Sequence, residues 1–186
     1  MNSIKIFLAS SNELKSEREQ FEIEIYRACK AWFNQQIFLH LEIWEDLSAF
    51  FSKTRSQNEY NEAIKNCDIF VLLVHTKLGG YSKEEFETAV GAFKQNKKPF
   101  ILTYFKNCDN PEQSVATFKN QLQQLEHFYC PYANFNDLWK QFNKELDRLL
   151  LNNFDRFQFE QARNKTYHQQ AEKIINIGKI DNATFN

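Results

Sequence analysis

The sequence predicts a doubly wound α/β domain built on a five-stranded parallel sheet, and three observations carry that expectation. Short apolar runs alternate with segments of helical periodicity over residues 4 to 150. One of those runs, Asp68–Val74, is apolar at consecutive positions, as in a strand covered on both faces at the centre of a parallel sheet. Strands that alternate with helices at this spacing place helices on both faces, and right-handed crossovers leave few ways to connect them. The expected strand order is 2-1-3-4-5, the flavodoxin-like arrangement.

The first strand is read at Ile4–Ala9, ending in Ser10-Ser11. From Leu14 the spacing changes, and Leu14, Phe21, Ile25, Ala28 and Trp32 fall on one helical face. Ser10 and Glu13 have the S-x-x-E spacing of a capping box that would start this helix. The second strand is Ile37–Trp44, with Ile37, Leu39, Leu41 and Ile43 on one side. Glu45–Gln57 reads as a loop, and Tyr60, Ala63, Ile64 and Cys67 suggest a short second helix.

After the central strand and the loop His75–Tyr81, a third helix shows the stripe Phe86, Ala89, Val90 and Phe93. Gly79-Gly80 is a bend before it. Pro99–Phe105 is the fourth strand, and Phe118, Leu122 and Leu125 mark the fourth helix. Phe128–Tyr132 is an edge strand, and Leu138, Phe142, Leu146 and Leu149 form a fifth helix. Residues 1–150 are thus expected to form one domain, and 151–186, richer in Gln, Asn and Lys, a helix or connector.

Composition excludes several classes. A domain of ~150 residues buries roughly two-thirds of its unfolded surface, so it needs no disulfide or metal staple. Lys plus Arg (23) nearly balances Asp plus Glu (24), which leaves no field to attract nucleic acid. Met1–Phe7 lacks a signal-peptide pattern, and no window is long and apolar enough for a membrane span, so a cytoplasmic protein is expected. Cys29, Cys67, Cys108 and Cys130 lie far apart, and His40, His75, His127 and His168 are equally scattered. Buried reduced thiols and no metal site are expected.

In an open parallel sheet, ligands bind outside the carboxyl ends of the strands where strand order reverses. For order 2-1-3-4-5 that point lies between the first and third strands. The loops around it offer Ser10, Ser11, Trp44, Asp46, Lys77, Tyr81, Glu84 and Glu85. Neither a GxGxxG fingerprint nor a GxxxxGK[ST] loop is present, which argues against an ordinary dehydrogenase or ATPase. No Ser/His/Asp set has a recognisable spacing.

Three segments, Ile6-Phe-Leu-Ala-Ser10, Cys67-Asp-Ile-Phe-Val-Leu-Leu-Val74 and Tyr81-Ser-Lys-Glu-Glu85-Phe-Glu-Thr-Ala89, resemble TIR (Toll/interleukin-1 receptor) domains of bacterial antiphage defence. In that family the third helix often carries W-C-x-x-E, an apolar residue after the glutamate, and Ala four positions beyond it. On this chain Tyr81 stands for the Trp, Ser82 for the Cys, and Glu85 falls on the catalytic glutamate, with Phe86 and Ala89 following. A one-residue shift would select Glu84 instead. The resemblance covers residues 4 to 150. The missing W-C pair, and a second loop without Pro-Gly, weigh against a receptor-adaptor role more than an enzymatic one.

The resemblance implies an NAD+ glycohydrolase that uses NAD+ as substrate and needs no further cofactor. Nicotinamide leaves as a neutral molecule, so no general acid need protonate it. The demand is to stabilise an oxocarbenium-like transition state, which a carboxylate near the ribose can do. The product is ADP-ribose or a cyclic ADP-ribose. Ser10, Ser11 and Lys77 would contact the ribose or pyrophosphate, Trp44 or Tyr81 would stack on a ring, and Asp46 completes the substrate-binding set. The resemblance also implies activation by assembly, as a homo-oligomer or filament through contacts between like domains. A sensor or activating partner would join through the tail.

Structural roles compete for the same residues. Ser82 and Glu85 have capping-box spacing, so Glu85 could simply close a helix start. Ser10 and Ser11 could be caps, Trp44 and Tyr81 packing residues, and Lys77 a solvated loop lysine. Two other functions stay open: a non-enzymatic scaffold for homotypic assembly, and an enzyme resembling nucleoside deoxyribosyltransferases, which share the architecture and use a glutamate on N-glycosidic bonds.

Overall fold

The computed structural model describes residues 2–43 and 56–149. Trp44, Asp46, most of the expected loop Glu45–Gln57 and the tail 151–186 lie outside the described residues. The chain divides into two compact units, Ser3–Gln141 and Phe142–Asn186. Strand β1 spans Asn2–Ser10, α1 Lys15–Trp32 and β2 Ile37–Ile43. Helix α2 spans Ser56–Asn66, β3 Ile69–Val74 and α3 Gly80–Asn96. Strand β4 is Phe100–Lys106, α4 Gln113–Gln124 and β5 Cys130–Tyr132. A last helix, α5, runs over residues 135–149.

The sheet has the order β2-β1-β3-β4-β5, and the fold is a flavodoxin-like α/β arrangement. Strand β3 pairs in parallel with β1 (Ile6 with Ile69, Ser10 with Leu73) and with β4 (Ile69 with Phe100, Val74 with Phe105). All six residues of β3 are buried, as a central parallel strand requires. Edge strand β2 alternates, with Ile37, Leu39, Leu41 and Ile43 inward.

One face of the sheet sends Phe7, Ala9, Phe70, Leu72, Val74 and Phe105 into a core with Ile64, Phe86, Ala89, Val115, Phe118 and Leu122 from α2, α3 and α4. Phe86 meets Phe118 edge-on, with ring centroids 4.9 Å apart. Ile6, Leu8, Val71 and Leu73 alternate onto the opposite face. Phe21 of α1 meets Trp139 edge-on at 5.6 Å.

Several local expectations need correction. The Ser10–Glu13 capping box does not form. A 3₁₀ turn, Asn12–Leu14, precedes α1, its N-cap is Ser11, and no side chain caps it. Glu13 is drawn instead to donors of the loop after β3, which no short-range pattern encodes. Helix α2 begins inside the expected loop, at Ser56. Gly79 is the N-cap of α3 and Gly80 its first residue, so Tyr81 lies in the helix rather than the loop.

The helical stripes are also narrower than read. Ala28 and Trp32 are only partly buried, and Phe93 and Leu125 are exposed. Phe128 is 93 % exposed and precedes β5, because Glu126 turns the chain in a left-handed conformation (φ 53°) and delays strand pairing. Of the cysteines only Cys67 is buried, and Cys130 is exposed. Burial, with Asp68 and Glu42 nearby, pushes the Cys67 thiol up to about 12, so it stays a neutral core group.

Candidate functional site

Strands β1 and β3 are neighbours whose connections leave in opposite directions, so their carboxyl ends flank the crevice of a doubly wound fold. Strand β1 ends at Ser10, and after the extended Ser11 the chain turns at once into the 3₁₀ start of α1. Strand β3 ends at Val74, and the short loop through His75, Thr76, Lys77 and Leu78 leads to the Gly79 cap. Six residues into α3 stands Glu85, on the buried side of the helix with Ser82, Phe86 and Ala89.

Glu85 is 7 % exposed, whereas Glu84 is exposed. Its carboxyl is pushed up to about 7, first by burial and then by the neighbouring Glu84 charge, against the opposing pull of Arg18. With Gly79 as N-cap, Glu85 sits too deep in α3 to close its start, so the capping-box role is removed. A glutamate buried at the second turn of a helix, with no hydrogen bond to it among the described residues, is costly for folding alone.

Arg18 is fully buried and was not singled out in the sequence. Its Nη1 donates to Ser10 Oγ at 2.6 Å and to the Ser11 carbonyl at 2.9 Å. The signal was present: Arg18 falls on the stripe Leu14, Phe21, Ile25, where helical spacing calls for an apolar residue. A charge on a core stripe marks a position kept for something other than packing. Neighbouring Glu17 is buried too and pairs with Lys106 at the end of β4. Beyond it the Tyr132 hydroxyl is buried without a hydrogen-bond partner among the described residues. Burial, then Glu17 and Glu13, hold that hydroxyl well above its ordinary value.

Glu13 crosses the crevice. Its Oε1 accepts from Ser11 Oγ at 2.9 Å, from the Thr76 N–H at 3.1 Å and from the Lys77 N–H at 3.4 Å. Its Oε2 accepts from Thr76 Oγ1 and lies 3.7 Å from His75 Nδ1. Thr76 and Arg18 are therefore site residues that the sequence does not single out, and Glu13, expected to cap α1, belongs to the crevice instead.

The expected site residues separate clearly. Ser10 and Glu85 are both buried, and Arg18 links them, bonded to one and electrostatically coupled to the other. Ser11 meets the crevice through Glu13, and Lys77 contributes its backbone N–H while its side chain is exposed. Tyr81 is 76 % exposed, so packing does not explain it. A separate groove of about 1030 Å³, between α4 and the turn into β5, is lined by Lys119, Gln123, His127, Phe128 and Tyr129 among others and contains none of the expected site residues.

Among the described residues, no three His, Cys, Asp or Glu side chains are placed to hold a metal ion. No described helix is long and apolar enough to cross a membrane. Fold and site together define a doubly wound α/β domain with a buried, near-neutral glutamate beside its switch-point crevice. No protein-family model matches the chain, and no curated protein matches it significantly.

Proposed function

We propose that the chain is a TIR-type NAD+ glycohydrolase that cleaves the nicotinamide–ribose bond, with Glu85 as its catalytic residue. The observation that carries this reading is the placement of Glu85, buried at the second turn of α3 near Arg18 and poised to ionise close to neutrality. The motif resemblance selects the same residue, and Glu84 is exposed.

The chemistry asks little else of the protein. The nicotinamide nitrogen is already cationic, so bond cleavage delivers a neutral leaving group and leaves positive charge on the ribose. A desolvated carboxylate opposes that charge far better than one in water. Water or the adenine ring then completes the reaction. The cationic nicotinamide ring of NAD+, placed beside Glu85, favours its ionised form on binding. Assembly of like domains, and an activating partner joined through 151–186, belong to the proposal through the resemblance.

The test is nicotinamide release, followed by chromatography with concentrated full-length protein, a crowding agent and NAD+. Glu85→Gln should lower turnover by about a hundredfold or more, the loss expected of a key electrostatic group, while remaining folded. Equal turnover in the wild type and Glu85→Gln would remove Glu85 from the mechanism.

A further inference from the structure

We propose that the β1–α1 turn and the loop after β3 form a cradle for a phosphate-class anion, filled in this structure by the carboxylate of Glu13. Four donors converge on that one group. Two are the successive backbone N–H groups of Thr76 and Lys77, at 3.1 and 3.4 Å from Oε1. The others are the Ser11 hydroxyl, at 2.9 Å from Oε1, and the Thr76 hydroxyl, which reaches Oε2. They come from both sides of the β1/β3 crevice. Successive backbone amides aimed at one point are a recurrent way to hold an anion.

The placement of Glu13 is not that of a helix cap. Ser11 occupies the N-cap position of the 3₁₀ turn, but its side chain makes no capping bond and its hydroxyl goes to Glu13 instead. Glu13 instead reaches a loop more than sixty residues along the chain, as the separations of 63 and 64 show. Burial alone would raise its carboxyl. The bonds from Thr76, Ser11 and Lys77, and then His75, outweigh burial and hold it below the ordinary value. The cradle therefore favours negative charge over a neutral occupant.

A phosphate oxygen accepts from two or three donors just as this carboxylate does, and a pyrophosphate offers several such oxygens. Glu13 thus keeps the cradle closed, and a phosphate ligand must displace it. The inference deepens the dinucleotide reading above, and it rests on that reading only for what carries the phosphate.

Calorimetric titration of the full chain with sodium pyrophosphate tests it. Glu13→Ala should bind about tenfold tighter than wild type, a difference of roughly 1.4 kcal/mol. Adding Thr76→Val should return most of that gain. Pyrophosphate should also raise the melting temperature of Glu13→Ala more than that of wild type. If the alanine variant does not fold, Glu13→Gln keeps one carbonyl oxygen to accept from Thr76 and should gain about threefold.

No tighter binding in either folded variant would overturn the cradle and leave Glu13 as a latch between two loops. ADP-ribose serves as the second ligand. A parallel gain for ADP-ribose supports the cradle as a dinucleotide subsite. A gain for pyrophosphate and inorganic phosphate alone upholds the cradle but retires its dinucleotide occupant.

Discussion

Arg18 Nη1 lies 2.6 Å from Ser10 Oγ and 2.9 Å from the Ser11 carbonyl, so a fully buried guanidinium fixes the end of β1 to the first turn of α1. A guanidinium in that position does two things at once. It satisfies two oxygens where the strand stops, and it projects positive charge toward Glu85. Replacing it with Met removes both while keeping the packing, because Met suits the apolar stripe of Leu14, Phe21 and Ile25 but carries no donor or charge.

Arg18→Met should therefore move the Glu85 titration midpoint upward from about 7, since the favourable charge of Arg18 is gone. Carboxyl-carbon NMR across a pH series would read the midpoint directly. Stability should fall by about 1–3 kcal/mol because Ser10 Oγ loses the Arg18 donor and the Ser11 carbonyl keeps only its bonds from Ser10 Oγ, at 3.3 Å, and the Leu14 N–H, at 3.1 Å. An unchanged midpoint, with the expected loss of stability, would show that the charge of Arg18 does not reach the carboxylate.

Glu85 and Glu13 should respond to pH with opposite signs. The folded-state value of Glu85 is raised from 4.5 to about 7, so folding favours its neutral form. Its contribution is fully present below pH 4.5, declines above that, and is lost as pH rises through about 7. The interval corresponds to roughly 3 kcal/mol. Glu85→Gln, a neutral mimic, should match wild type in urea unfolding near pH 4.5 and exceed it by that order near pH 8. Glu13 is held below its ordinary value, so its contribution is present above its unfolded value and lost as pH falls through the folded one. A Glu85→Gln difference that does not change with pH would contradict the buried, destabilised carboxylate.

The fold was legible because its signals are local or periodic. Six consecutive buried residues in β3, alternation in β2 and the spacing of Phe118 and Leu122 in α4 all read directly as elements. Right-handed crossover then leaves little freedom in strand order. The site was legible only in part, since Ser10 and Glu85 follow from topology and motif. Glu13, Thr76 and Arg18 matter through contacts between distant segments, and the S-x-x-E spacing even pointed Glu13 to the wrong partner. Arg18 did leave a trace, as a charge on an apolar stripe.

The pH dependence of turnover is the last expectation, and it follows from the requirement that Glu85 act as a carboxylate. Because kcat/KM reports the free enzyme, it should rise with pH through about 7 and then level off. Once NAD+ is bound with its cationic nicotinamide ring beside Glu85, the carboxylate is favoured, so the corresponding limb of kcat should lie at lower pH. The Glu84 charge raises the Glu85 value, and Glu84→Gln should therefore shift the kcat/KM limb to lower pH without abolishing turnover. Arg18→Met should shift it the other way. Steady-state kinetics between about pH 5 and 9, bracketing the expected titration, would resolve these limbs. A profile that is flat across this range, or that does not move in either variant, would assign the chemistry to a group other than Glu85.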